Sequence, residues 1–309
     1  MTNGKKKGII VLNGISLKKK LFYHEYLPAI SRMFDVEVHE TLSKNDARML
    51  ASKFADKHVD FILSAGGDGT LHQVVNGVLK GRENESRLPL LGVIPIGSGN
   101  DFARGATLKI SVEHTLKILS AFKPRPVDVG IIEFSTSPRA DAERGTAYFI
   151  NVADIGMGPE VVGKVLSSGR PFGSEVAYYK SIINTFLTYK PMVVKAVTEH
   201  WTWEGKLRTL AVANGKYYGH GLCIAPDAQI DDQLFTVFIC GNVSVFDFIM
   251  QTGTLKKGKN VLIDEVLYKT ATAIECSSES PCPIEGDGEI LGWLPAKVRL
   301  VGRKLNFLL

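Results

Sequence analysis

The residues best suited to chemistry are carboxylates set among glycines. Residues 65–70 read Ala-Gly-Gly-Asp-Gly-Thr, and residues 97–101 read Gly-Ser-Gly-Asn-Asp. Glycine lets backbone amides approach a ligand closely, so a glycine-rich loop suits a phosphate. A carboxylate beside a phosphate is repelled unless a cation stands between them, which makes Asp68 and Asp101 candidate metal ligands. Further acidic groups lie far downstream. Glu285-Gly286-Asp287-Gly288-Glu289 is a tight acidic turn, and Asp231-Asp232 follows Pro226-Asp227-Ala228. These could supply a general base or a metal ligand facing a cleft between domains. Spacing by itself favours a solvated hairpin turn, which Asp-Gly commonly makes.

Such loops need rigid elements behind them. In the stretch His58–Leu79, the apolar run Val59, Phe61, Ile62, Leu63 predicts a buried strand that ends at Ala65. Leu71, Val74, Val75, Val78 and Leu79 then fall on one face of a helix. The loop 65–70 therefore sits where a strand hands over to a helix N-terminus, a place that favours an anion. A second apolar run, Leu88–Ile96, leads in the same way into Gly97–Arg104. Upstream, Gly8–Leu12 predicts a strand and Asn13-Gly14 a turn. Tyr23–Phe34 predicts a helix kinked at Pro28, and Val36 and Val38 a more exposed strand ending near Thr41. Ser43–Asp46 has capping-box spacing, with a helix to about Phe54. A further helix is expected over Ser111–Phe122, closed by Pro124 and Pro126. Alternating strands and helices predict a doubly wound parallel sheet with helices on both faces. Ligands bind beyond the carboxyl ends of such strands, so both glycine-rich loops should share one edge.

After residue 127 the texture changes. Tyr148–Val152, Met192–Thr198, His200–Trp203, Leu207–Ala213, Phe235–Cys240, Val261–Lys269 and Ala271–Cys276 are short β-branched or aromatic runs separated by turns, which predict an antiparallel β-sandwich or barrel. Helices are expected around Glu175–Tyr189 and Val245–Met250, and a polar loop over residues 135–145. The expected organisation is an α/β domain over 1–127 and a sandwich over 128–309, with the strand-like tail 297–309 free to return to the first domain.

The chain has 309 residues, 45% apolar and 22% charged, enough for a sizeable core. Its net charge of +5 is too weak to argue for nucleic acid, yet compatible with phosphorylated ligands or an anionic membrane surface. No apolar run approaches the ~20 residues that span a bilayer. Cys223, Cys240, Cys276 and Cys282 lack zinc-site spacing and read as free thiols of a reducing cytosol.

The motifs AGGDGTLHQVVNGV and GVIPIGSGNDFAR resemble those of the diacylglycerol kinase catalytic domain in its soluble bacterial lipid-kinase form. VDVG at 127–130, VANGKYYGHGLCIAPDAQIDD at 212–232 and GDGE at 286–289 extend the resemblance over nearly the whole chain. It implies an NAD kinase-like first domain that binds ATP. Gly66, Gly67, Asp68, Gly69, Thr70, Leu71 and His72 would contact the phosphates, with Asn13, Thr41 and Ser98 nearby. Asp68, Asp101 and Asp128 match the carboxylates that hold catalytic magnesium (Mg2+) through water, and Arg104 matches an arginine near the phosphates. Asp287, with Glu289 second, matches the general base. Gln229, Asp232 and Leu234 match a structural magnesium site. The resemblance further implies transfer of the γ-phosphoryl group to diacylglycerol or a related lipid alcohol, cytoplasmic location, peripheral membrane association and room for a homodimer. NAD kinase shares GGDGT and is the alternative enzyme reading; an inactive nucleotide-binding regulatory protein is the other. Three positions depart from the family pattern: Asn13-Gly14 where Asn-Pro is usual, Gln73 for Glu, and Asp232-Gln233 for Asp-Gly.

Overall fold

The computed structural model describes residues 5–309 except 44, 58, 86, 140, 168–174 and 303. His58, which opens the strand–loop–helix stretch, and Phe172, which opens a segment taken up below, lie outside the described residues. The chain divides into two compact units, Met1–Val127 with Arg303–Leu309, and Asp128–Gly302.

The first unit holds strands β1 (Lys7–Leu12), β2 (Asp35–Glu40), β3 (Phe61–Gly66), β4 (Leu90–Pro95) and β5 (Pro124–Val127), with β19 (Leu305–Leu308) from the tail. Their order is β2-β1-β3-β4-β19-β5. All pairings are parallel except that of β5 with β19. The apolar runs of β1 and β3 are buried on both faces, as a sheet covered twice requires. On one face Ile10, Leu12, Phe61 and Leu63 pack with Phe22, Tyr26, Ile30 and Leu119. Helices α3 (Asp46–Ala55) and α4 (Asp68–Leu79) lie close together, because Gly77 presents no side chain to the Arg48 carbonyl. Helices α5 (Asp101–Gly105) and α6 (Val112–Ala121) follow β4.

Two local expectations need correction. The run expected as one helix kinked at Pro28 is α1 (Lys19–Leu21), a π-helical segment over Phe22–Tyr26, and α2 (Leu27–Met33). Pro28 stands in the first turn of α2, where its missing N–H costs little, and the irregularity falls before it. At α3 the expected box runs backwards. The Asp46 carboxylate accepts the Leu42 and Ser43 N–H groups at 2.7 and 2.8 Å, and the Ser43 hydroxyl donates to it.

The second unit is antiparallel. Its strands are β6 (Gly130–Ser135), β7 (Arg144–Phe149), β8 (Val152–Gly156), β9 (Met192–Val197), β10 (Thr202–Leu207), β11 (Thr209–Ala213), β14 (Phe235–Cys240), β15 (Val266–Ala271), β16 (Ala273–Ser278), β17 (Pro283–Gly286) and β18 (Glu289–Leu300). They run in the order β10-β9-β16-β18-β17-β8-β11-β14-β15, with β6 beside β18 and β7 beside β6. A small separate ribbon joins β12 (Tyr217–Tyr218) and β13 (Leu222–Cys223). One core fills the interior between strands, and a second lies between the sheet and helices α7 (Met157–Ser167), α8 (Glu175–Thr188) and α9 (Val245–Lys256).

Helix α7 has no counterpart in the sequence reading. Gly156, at φ 103°, ends β8, and Pro159 stands in the first turn of the helix, so the sequence carried a glycine–proline helix start that the reading passed over. Helix α9 runs past Met250 to Lys256 despite Gly253. The strand expected at His200 begins at Thr202, because the Thr198 hydroxyl accepts the N–H groups of His200 and Trp201 and makes a turn of them. The strand expected from Val261 begins at Val266. The tail divides: Lys297–Leu300 stays in β18, and Leu305–Leu308 forms β19.

Candidate functional site

Parallel pairing sets the ends of β1, β2, β3 and β4 on one edge of the first sheet, with Leu12 opposite both Glu40 and Ala65, and Gly66 opposite Pro95. The loops leaving those ends are tied to one another. Asn13 Nδ2 donates to Thr70 Oγ1 at 3.3 Å, the Gly14 N–H to Thr41 Oγ1 at 3.2 Å, and the Gly97 N–H to the Gly66 carbonyl at 3.0 Å. The strongest tie is Asp68. Its Oδ2 accepts the Asp101 N–H and its Oδ1 the Phe102 N–H, each at 3.1 Å, so one glycine-rich loop caps the helix that follows the other.

Glycine is required where these loops touch. A Cβ on Gly97 would lie 2.2 Å from Gly67 Cα, and one on Gly14 would lie 2.2 Å from the Thr41 carbonyl oxygen. The departure at Gly14 is therefore matched to its neighbour, and Asn13 still reaches the glycine-rich loop 65–70 through Thr70. Asn100 holds the turn between them at φ 54°, with its side chain bonded to both the N–H and the carbonyl of Gly97.

The sequence-predicted donor-site residues fall into three groups. Asn13, Thr41, Gly66, Gly67, Asp68, Thr70 and Asp101 come together in the bonded loop cluster. Gly69 lies in the first turn of α4, where an N–H faces the helix end and can meet an anion, whereas the Leu71 N–H is already donated to the Gly67 carbonyl at 3.1 Å and His72 follows it into the helix. The His72 ring itself is buried, with Nε2 3.3 Å from Asn76 Nδ2. Ser98 and Arg104 are exposed on their loop and helix.

Among the described residues, no three His, Cys, Asp or Glu side chains gather into a complete metal site. The residues do suit magnesium, which typically takes one or two carboxylates and completes its shell with phosphate and water. A single point beside Gly99 lies 3.2 Å from Asp68 Oδ2 and 3.7 Å from Asp101 Oδ2, so two like charges converge on a space that a side chain would fill.

In the second unit, Asp287 and Gly288 have φ of 50° and 86° and make the two-residue turn between β17 and β18. The hairpin is as the spacing favours, but Asp287 is not solvated. It is buried, and its carboxylate accepts three backbone N–H groups, from Ile150 to Oδ2 at 3.1 Å and from Asn151 and Val152 to Oδ1 at 3.0 Å each. Glu289 opens β18, half-buried. Asp128 belongs to the same network. Asn214, wholly buried, donates through Nδ2 to the Ile150 carbonyl at 2.8 Å and the Asp128 carbonyl at 3.1 Å. The buried Asp128 carboxylate accepts the Gln233 N–H at 2.5 Å, and Asp232 Oδ1 accepts the Leu234 N–H at 3.1 Å. Burial first, then the negative charges of Asp128 and Asp231, push the Asp232 carboxyl upward. Gln229 is exposed beside them. A cluster of acids whose ionised forms disfavour one another suits a cation.

Sequence reasoning missed Asn214 and Asp154, and it named Glu285 only as part of the acidic turn, not as the buried partner of Asp154. Asn214 carried a readable signal, as an amide directly after the apolar strand 209–213. Asp154 carried none, since a lone Asp in VADIG reads as solvent-facing.

The comparisons agree with this architecture. Residues 7–132 match the diacylglycerol kinase catalytic domain, and residues 153–309 match the YegS C-terminal NAD kinase beta sandwich-like domain. The chain is 28% identical over 267 residues to a diacylglycerol kinase of Bacillus subtilis (strain 168), covering 85% of this chain and 82% of the relative. It is 27% identical over 303 residues to a probable lipid kinase YegS-like of Xanthomonas oryzae pv. oryzae (strain MAFF 311018), covering 94% of each. A crystal structure of a diacylglycerol kinase from Bacillus anthracis str. Sterne shares the fold, with a TM-score of 0.72 at 20% identity over 100% of this chain and 98% of that one. The chain therefore belongs to the diacylglycerol kinase and YegS-like family of lipid kinases.

Proposed function

We propose that the protein transfers the γ-phosphoryl group of ATP to the hydroxyl of diacylglycerol or a related lipid alcohol, at the cytoplasmic face of a membrane. The observation that carries this reading is the Asp68 carboxylate spanning from one glycine-rich loop to the helix after the other. It supports a single cradle for a polyphosphate rather than two unrelated turns.

Phosphoryl transfer depends on positioning and charge neutralisation. The amides at the start of α4 would neutralise phosphate charge, with Asn13, Thr41 and Ser98 at the rim and Arg104 nearby. Asp68 and Asp101 would hold magnesium, which when bound offsets charge on the β- and γ-phosphates. Asp232, with the Gln229 and Leu234 carbonyls, would hold the structural ion. Asp287 would accept the proton as the lipid oxygen attacks phosphorus, the bond to the ADP oxygen breaks and a phosphate monoester forms. A positioned base contributes roughly 10²–10⁴-fold. Oδ2 of Asp287 bonds one of the three backbone donors and Oδ1 two, so Oδ2 is better suited to take that proton. Glu289, one strand position beyond the turn, is the second acidic group there.

The test is incubation of the pure protein with labelled ATP, magnesium, a panel of lipid alcohols and NAD. Label in a lipid is expected. Label in NAD alone would make the protein an NAD kinase, and bound ATP with no transfer would make it a nucleotide-binding regulator.

A further inference from the structure

Helices α8 and α9 of the second unit lie side by side and antiparallel. Phe186 stacks on Phe248 with ring centroids 4.8 Å apart, and Lys256 Nζ stands 4.3 Å above the Tyr179 ring. Each helix has an inner face that packs on the sheet, through Ile182 and Phe186 on α8 and Phe248 and Leu255 on α9. An amphipathic helix should then turn polar residues outward. Helix α8 does so only in part, through Lys180, Asn184 and Thr188, and the outer face of α9 does not. On α9, Phe246, Ile249 and Met250 fall at helical spacing opposite Leu255 and are 70%, 50% and 62% exposed. On α8, Leu187 is 68% exposed beside Ile183.

Exposed apolar residues are ordinary when scattered and informative when contiguous. Here they share two adjoining helices and are edged by lysines: Lys180 and Lys190 on or just beyond α8, and Lys256, Lys257 and Lys259 at the end of α9, all exposed. The acidic residue of α9, Asp247, is turned to the helix start, where the Ser244 hydroxyl donates to it at 2.6 Å. No helix among the described residues is long and apolar enough to cross a membrane.

We propose that the outward face of the α8–α9 pair is the surface by which the protein docks on an anionic bilayer. Aromatic and aliphatic side chains enter the acyl boundary while lysines meet the head groups, the arrangement of a helix lying in the interface. The aromatic sequence 172–189, with Lys180 and Lys190, reads first as a helix packed on the sandwich and second as a docking candidate; half of the face described here lies on α9 instead. A second copy of this chain is the weaker occupant, since a two-fold axis through the face would set lysine edge against lysine edge. The inference deepens the lipid-kinase reading and rests on it for the need to reach a bilayer.

The experiment is sedimentation with vesicles of phosphatidylcholine alone or with phosphatidylglycerol, without ATP. It compares the natural protein with F246S/M250S and K257Q/K259Q, and each is also assayed for transfer to a short-chain, water-soluble diacylglycerol. The natural protein should bind the anionic vesicles. Each lysine removed should weaken binding about fivefold. F246S/M250S should weaken it at least as much, because it removes the inserted groups, while soluble-acceptor transfer is unchanged. Vesicle binding unaffected by both variants overturns the proposal. So does a dimer in sedimentation velocity that F246S/M250S dissociates without loss of vesicle binding. Intact, face-dependent vesicle binding with no transfer to any lipid would leave docking standing and remove the kinase reading.

Discussion

Asp154 on β8 and Glu285 on β17 stand directly opposite one another across an antiparallel pair, and neither side chain is exposed. Burial pushes the Asp154 carboxyl up to about 7, against hydrogen bonds from the Thr209 hydroxyl at 2.8 Å and the Tyr218 hydroxyl at 3.0 Å. Burial and the neighbouring Asp154 push Glu285 well above its ordinary range. Both groups therefore hold protons in the folded chain that they would release when unfolded. That contribution to stability is full below pH ~4, where both states are protonated. It is lost as pH rises through the folded value near 7 for Asp154.

The expected outcome is a protein that resists urea less at pH 8 than at pH 5. The slope should approach about 1.4 kcal/mol per pH unit for each group within its window. Asp154→Asn removes one titrating group and should flatten the curve, gaining on the natural protein as pH rises. Parallel pH–stability curves for the two proteins would remove Asp154 from the account. Glu285 also accepts the Gly288 N–H at 2.6 Å, so the pair supports the turn that carries Asp287.

Asp68 has two jobs that substitution can separate. Asp68→Ala deletes the acceptor for the Asp101 and Phe102 N–H groups. Loss of such a cap costs about 0.5–2 kcal/mol, and transfer should be abolished. Asp68→Asn keeps a carbonyl for one of the two N–H groups but removes the charge that faces Asp101. It should recover part of the stability and none of the transfer. Thermal unfolding checks the first half, and labelled-ATP transfer the second. A fully active Asp68→Asn protein would exclude a metal-binding role for that carboxylate.

The first unit was legible from residues 8–104 because β1, β3 and β4 are apolar runs that lead into glycine-containing turns, while β2 shows as an alternating strand, and both glycine-rich loops follow the apolar runs. Their mutual bonding was not legible, since it depends on register between chains of residues some thirty positions apart. In the second unit the strands showed as short β-branched runs, whereas α7 follows β8 directly across Gly156, at φ 103°, with no loop between strand and helix. The Asp287 turn shows the limit most clearly. Asp-Gly correctly predicts a hairpin, but only the neighbouring segment 150–152, brought in by pairing of β17 with β8, turns a solvated aspartate into a buried one.

Asp287→Asn tests the proposed proton acceptor. The carboxylate meets donors from Ile150, Asn151 and Val152, all of which need an acceptor. An amide can satisfy the two on one oxygen and must present its own N–H to the third. A buried donor left without an acceptor costs about 1–3 kcal/mol, too little to unfold an ordinary domain. The variant should keep its cooperative unfolding transition at a lower Tm, bind ATP as before and transfer no phosphate. Full activity in Asp287→Asn would end the general-base assignment.

Gln233 holds a left-handed backbone conformation at φ 62°, in the position where the family pattern has glycine. An L-residue with a Cβ pays roughly 1–2 kcal/mol for that conformation, and glycine pays nothing of the kind. The turn nevertheless persists, because the Gln233 N–H donates to the Asp128 carboxylate at 2.5 Å and Leu234 donates to Asp232. Both bonds come from the backbone and do not depend on the glutamine side chain. Gln233→Gly should relieve the strain while retaining them. Glycine's greater freedom in the unfolded chain takes back about 0.5–1 kcal/mol, so the net gain should be a few tenths to about 1 kcal/mol. Gln233→Val, with a branched Cβ, should instead destabilise by more than that gain. Chemical denaturation of the three proteins side by side decides the matter. If glycine and valine both leave stability where glutamine has it, the left-handed turn is not what holds Asp128 and Asp232 together.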